Sequence, residues 1–267
     1  MSGKAGKSKA VPLIASAESL WTSADACLRN AKTLSEHAEL LDLEGSATAF
    51  ALAILAQEET VKAFLLHLAA YEALPWNRLV HRSLRDHACK QAWFVVLDAM
   101  ISDLERVQSG DEPLPEVDLD GNLLQKVADV LNWYRYAKIQ AWEQGHCDWE
   151  EVPTAEPARG IVGGKLDRHK QRALYVGIGE DGKVSSRPNS ISAAEIELAI
   201  RDAKRFHSYV SELPPLRSDY LWKQVQWLKG LLVAVFTPEK PTGKERHDII
   251  PGVVIYEVSR VVLQARK

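Results

Sequence analysis

With 267 residues, 46% of them hydrophobic and 26% charged, the chain has the make-up of a globular protein: one large domain, or a domain with an appendage. A net charge of −3 excludes a bulk basic field, so any nucleic-acid surface has to be a local patch. Three widely spaced cysteines, Cys27, Cys89 and Cys147, make no disulfide framework and fit a reducing, cytoplasmic setting, and the longest apolar run, Leu231 to Phe236, is too short to span a bilayer.

The chain opens with MSGKAGKSKA, which is small, polar and basic and lacks the apolar core of a signal peptide. Residues 1–14 read as a disordered basic tail. From there to about residue 145 helical periodicity dominates. A first helix is expected from about Ala15 to Leu43, ending near Gly45, and a second from about Ser46 to Ala73, stopped by Pro75. A third, read as continuous, runs from about Trp76 to Val107, before the breaker run SGDEPLPE. A fourth starts after Asp120-Gly121 and ends at Gly145. Long amphipathic helices with short connections predict an antiparallel bundle.

Residues 146–172 carry frequent proline, glycine and charge without periodicity and are expected as a long loop. ALYVGIGEDGKVSS, residues 173–186, places an Asp-Gly turn between short β-prone runs, a small hairpin. Helical pattern returns from Ser192 to Leu213, with Ser192 and Glu195 spaced as a capping box. Pro214-Pro215 breaks it, a further helix is expected over Arg217 to Phe236, and VVIYEVSRVVLQ reads equally as strand or helix. The fold class is therefore mainly α: a helical domain over 15–213, with a loop and hairpin at 146–190, and an extension over 214–267.

The second helix, ATAFALAILAQEETVK over 47–62, sets an acid among apolar residues. At about 100° per residue, Leu52, Leu55, Ala56, Ala63 and Leu66 share one face, with Glu59 near its middle and Glu58 and Lys62 on either side. A charge on a buried stripe is costly unless paired. Glu58, Glu59 and Lys62 thus read either as a register-fixing ion pair or as a group that orients a site residue.

The third segment holds Arg78, His81, Arg82, Arg85 and His87 within ten residues. An arginine followed by histidine after four to six residues is the pattern of one class of metal-independent ribonuclease. Histidine can move the proton of a ribose 2′-hydroxyl near neutral pH, and arginine can hold the phosphate. With sixteen arginines and eight histidines, about one or two such spacings arise by chance, and Arg201 with His207 is a second instance. On a regular helix, moreover, positions five apart diverge by about 140°. Arg82 and His87 can then meet only through a helix irregularity or across a subunit interface. The alternatives are an Arg82–Asp86 pair, an Asp86–Lys90 pair and a core histidine at 87. Arg78, Arg82 and Arg85, without an interleaved acid, have the make-up of an anion patch.

Metal and cofactor patterns are weak. A carboxylate-bridged di-metal bundle needs two Glu-x-x-His pairs, and the chain offers one, Glu143 to His146. Cys89 near His87, and His146-Cys147, lack paired zinc-ligand spacing. No metal and no cofactor are expected.

Three blocks in order resemble the AbiV family of bacterial abortive-infection proteins: NAKTLSEHAELL with SATAFALAILAQEETVKAFLL, then PWNRLVHRSLRDHACK, then KQRALYVGIGEDGKVSSRPNSISAAEI. Gln57 stands where a Leu-like residue is usual, and Gly177 where the family has an acid after LYV. The resemblance implies a HEPN-like bundle that dimerises in the cytoplasm. It also implies a defence role that halts growth or translation in an infected cell. Carried over, the arginine–histidine motif falls on Arg82 and His87, with RNA as the substrate. On the residue reading above, Arg78 and Arg85 are then candidates for binding RNA, and Asp86 and Lys90 for a supporting ion pair. The rival reading is a non-catalytic helical module that binds a phage protein, an antitoxin or the translation machinery.

Overall fold

The computed structural model describes residues 14–109, 123–145, 159–161 and 163–213, together with Leu228, Lys229, Leu232, Val235 and Phe236. The first helix, α1 (Ala17–Asp42), starts where Ser16 Oγ accepts from the Ser19 N–H at 3.1 Å, a side-chain cap for an otherwise orphaned donor. The turn after it contains Gly45, whose φ of 66° suits glycine. α2 (Thr48–Ala70) turns back along it. The buried positions of α1 are mostly small, Ala24, Ala31, Ser35 and Ala38, so the alanine-rich α2 can approach closely.

The second helix is the axis of the molecule. It packs against α1, against α4 (His87–Gln108), against α7 (Lys165–Leu174) and against α8 (Ala193–Glu212). Few of its residues reach solvent, so one apolar stripe does not describe it. That corrects the expectation for its acids. Glu58, not Glu59, is the buried carboxylate, at 1% exposure. Glu59 is only partly covered and pairs with Lys62 one turn on. Gln57 is also buried, and its Nε2 donates to the Ala199 carbonyl at 2.8 Å, tying α2 to α8. An apolar residue there would leave that bond unmade.

The third segment is two helices rather than one. α3 (Arg78–Ser83) begins at Asn77, whose Oδ1 accepts from the N–H groups of Leu79 and Val80. It stops at Ser83, and α4 starts afresh at His87 because Asp86 Oδ1 accepts from the Cys89 N–H at 3.0 Å. Next come α5 (Leu123–Trp133), a π-helical stretch over Tyr134–Ile139 and α6 (Gln140–Gln144). Gly145, in the left-handed region at φ 80°, closes the run.

A second correction falls in the expected loop of 146–172. Residues Lys165–Leu174 are helical, as α7, led by Gly164 in the left-handed region. The hairpin follows as read: β1 (Gly177–Ile178) pairs antiparallel with β2 (Val184–Ser186), with Gly182 at φ 73° in the turn. Ser192 and Glu195 form the expected capping box at the head of α8. The main core gathers Phe64, Trp93, Leu97 and Tyr134, joined by Leu228, Leu232, Val235 and Phe236. A second cluster, around Phe50, Ile54, Ile196 and Ile200, fills the other end of α2. Each fully buried Leu or Phe stabilises by roughly 1.5–3 kcal/mol.

The fold is thus mainly α with one small hairpin. The expected tail, apart from Ile14, lies outside the described residues, as do the greater part of the 214–267 extension and the pair His146-Cys147.

Candidate functional site

Glu58 projects from α2 into a cluster built by three helices. Its Oε2 lies 2.6 Å from His87 Nδ1 and 2.8 Å from Lys90 Nζ, both from α4. Its Oε1 accepts from Lys170 Nζ of α7 at 2.9 Å and from Gln91 Nε2 at 3.2 Å. All four acceptor positions of the carboxylate are occupied. Lys170 also reaches Asp167 Oδ1 at 3.0 Å and His87 Nδ1 at 3.2 Å. Burial alone would raise the Glu58 carboxyl, but Lys90 and Lys170 together hold it below the usual carboxylate range. It is an ionised anchor.

His87 sits at the first position of α4, and its side chain is 51% exposed. A core histidine at this position is ruled out: one ring edge is fixed to buried Glu58 while the ring remains open to solvent. The break before α4 also removes the regular-helix constraint on Arg82 and His87, which lie on different helices. Arg82 is exposed, with its guanidinium 4.9 Å over the Trp142 ring of α6. Arg82 and His87 make no hydrogen bond to each other among the described residues. Arg78 and Arg85 are exposed on either side and, among the described residues, have no ion pair. The stretch is a local basic patch on a protein of net negative charge.

The α3–α4 junction is clamped from the π-helical stretch. Lys138 Nζ donates to Asp86 Oδ2 at 3.0 Å, so Asp86 pairs neither with Arg82 nor with Lys90, and Lys90 pairs with Glu58. For Asp86, burial is outweighed by the Cys89 N–H and Lys138, which hold it below its ordinary value. Burial, reinforced by Asp86, pushes the Cys89 thiol well up, so it is an unreactive core group. A π-helical turn widens a helix by one residue and often marks a functional site. Here it presents Lys138 to the junction while Tyr134, at its head, stays buried beside Trp93.

Helix architecture, a half-exposed histidine on a buried acid and the flanking arginines set the context for comparison with known families. The HEPN_AbiV family model, described as AbiV, matches residues 19–208. The chain belongs to the AbiV family. No curated protein and no solved structure matches it.

The AbiV match runs from the start of α1 to within α8, so every residue of the Glu58 cluster lies inside it. It places the chain with HEPN-type abortive-infection proteins. Gly177 lies in β1, where a Cβ would come 2.5 Å from Ser186 Oγ and 2.7 Å from Ser185 Oγ, so the hairpin serines close over that position. The second spacing, Arg201 with His207, is not a site: His207 Nε2 bonds the Leu28 carbonyl of α1 at 3.2 Å, and Arg201 lies near Asp202.

Sequence reasoning missed Lys170, Gln91, Lys138 and Trp142. For Lys170 a signal existed. Leu166, Lys170 and Ala173 fall at spacings of four and three, the inner edge of a helix with a lysine in place of an apolar residue. Among the described residues no group of three or more His, Cys, Asp and Glu side chains gathers as metal ligands, and no helix is long and apolar enough to cross a membrane.

Proposed function

We propose that this AbiV protein is a ribonuclease-like toxin that acts as a homodimer and arrests growth or translation in an infected cell. The observation that carries the reading is the state of His87: a half-exposed ring whose Nδ1 is 2.6 Å from a fully buried carboxylate. That arrangement turns the other ring nitrogen, Nε2, outward, where it can exchange a proton with a bound substrate. His87 takes the proton of a ribose 2′-hydroxyl, and the 2′ oxygen attacks the adjacent phosphorus. Arg82, held over Trp142, binds the phosphate and offsets the charge that builds on it. Arg78 and Arg85 extend the cationic surface along the RNA strand. No step in this chemistry calls for a metal ion.

Expression of wild type should arrest growth, and His87→Ala and Arg82→Ala should abolish the arrest while remaining folded. Purified protein should cleave RNA in the presence of a chelator and leave 2′,3′-cyclic phosphate ends. Full toxicity of both variants would overturn the reading and favour a non-catalytic module.

A further inference from the structure

Of the nine large apolar side chains exposed among the described residues, five lie between Leu174 and Val184, on and beside the hairpin. Tyr175 is 65% exposed, Val176 53%, Ile178 63% and Val184 49%. Apolar residues scattered singly over a surface need no explanation, but a cluster of this kind marks a contact site. The sheet has two strands among the described residues, so no strand lies against the outer edge of either.

The backbone sets which groups the β1 edge offers. The Gly179 N–H donates to the Lys183 carbonyl at 2.8 Å, and the Gly179 carbonyl accepts from the Gly182 N–H at 2.9 Å. Gly179 thus turns both groups inward. Direction alternates along a strand, so Ile178 turns its N–H and carbonyl outward, Gly177 inward and Val176 outward. Side chains alternate as well. Val176 and Ile178 share one face, and Val184, the partner of Ile178 across the hairpin, joins them. Ser185 and Ser186 both stand against Gly177, which places the bulge on β2 and leaves the β1 edge regular.

We propose that the outer edge of β1 pairs antiparallel with the same strand of a second copy of this chain, across a two-fold axis at Gly177. In that register Val176 lies opposite Ile178 of the second copy, and Ile178 opposite its Val176. These are the residues whose backbone groups face outward, so both pairs exchange their hydrogen bonds. Val176, Ile178 and Val184 of the two copies meet on one face, and on the other each Tyr175 covers a Gly179. Charge favours this edge. The run Tyr175–Gly179 carries none. The acidic tip, Glu180 and Asp181, comes beside the last turn of the other copy's α7, which carries Arg172. The matching pairing through β2 would instead set Lys183 opposite Arg187, two like charges. A strand that is its own complement suits an isologous interface. This contact builds the homodimer of the reading above and rests on that reading for the number of copies alone, not for its chemistry.

Sedimentation equilibrium of the full chain reads the association. A contact of two short strands is small and therefore weak, so it is followed from about 1 μM to about 500 μM. Wild type should be two chains at the upper end of that range. Ile178→Lys, at an exposed position, should weaken association about a hundredfold, since each dimer takes up the change twice. Arg187→Glu, beside the outer edge of β2, should leave it unchanged. In a mixture of two differently labelled wild-type samples, methyl cross-peaks should join Val176 of one copy to Ile178 of the other. Those peaks decide the register even where the lysine variant disturbs the hairpin, and their absence from a dimeric wild type overturns it.

Equal association of wild type and Ile178→Lys overturns the proposal and leaves the homodimer standing on another face. A larger loss from Arg187→Glu than from Ile178→Lys overturns it too, because the β2 edge is then the contact. A wild type that stays a single chain throughout overturns both this contact and the homodimer.

Discussion

Lys138 Nζ lies 3.0 Å from Asp86 Oδ2, so the residue that starts α4 is held from across the bundle by a π-helical turn 52 positions later in the chain. The other Asp86 oxygen caps the helix that begins with His87. Asp86→Ala removes both and should cost about 1–2 kcal/mol, as expected for loss of a helix N-cap. Asp86→Asn keeps the cap and should cost less. Urea unfolding monitored by circular dichroism ranks the variants. If Asp86→Asn is as destabilised as Asp86→Ala, the cap is not the dominant effect.

Glu58 neutralises two buried lysines, and removing it strands them. Glu58→Ala should destabilise by about 3–5 kcal/mol, the usual outcome when one partner of a buried ion pair is lost. The acid dependence follows from the same cluster. Lys90 and Lys170 hold the Glu58 carboxyl below its unfolded value, so the unfolded chain takes up the proton first. This stabilisation is present above the ordinary carboxylate range and is lost as pH falls through and below it. Wild type should therefore lose more stability than Glu58→Gln between pH 5 and pH 3, measured by urea midpoints at each pH. Parallel curves would show that the carboxyl is not held down by the lysines.

His67 is buried at the α1–α2 interface, its ring 4.8 Å from that of Trp21, and among the described residues neither of its nitrogens has a hydrogen-bond partner. Burial depresses it from 6.5 to about 4, with Asp25 opposing weakly. In that window the unfolded chain binds a proton that the folded one refuses. Stability is complete above about pH 6.5 and falls as pH drops to about 4, by up to roughly 3 kcal/mol. His67→Phe should flatten the pH dependence across this window and leave the neutral-pH fold intact. An unchanged slope in the variant would mean that His67 does not set it.

What the sequence reveals, and where it misleads, follows from how local each signal is. The Asp181-Gly182 turn and the Ser192–Glu195 box lie within a few residues of the structure they make, and both were legible. Asp86 was misread because its spacing to Arg82 and Lys90 matches a helical ion pair, whereas its side chain turns back onto its own backbone. Glu59 was placed in the core on the assumption of a single buried face, but α2 is covered on nearly every side and the interior acid is its neighbour. The helix α7 reads as loop because the residue on its inner edge is Lys170. A lysine there makes sense only with Glu58, 112 positions earlier, as its partner. Local rules failed where a charge was buried beside a candidate site.

The Glu58–Lys170 bond also orders events during synthesis. A nascent chain that has emerged only as far as Gly145 carries Glu58, His87 and Lys90 but has not yet made Lys170. Its histidine ring has the carboxylate as a neighbour and lacks the ammonium. The complete cluster appears only when Lys165–Leu174 has left the ribosome and α7 has docked. The cluster around His87 is thus finished by a segment made well after the helix that carries the histidine.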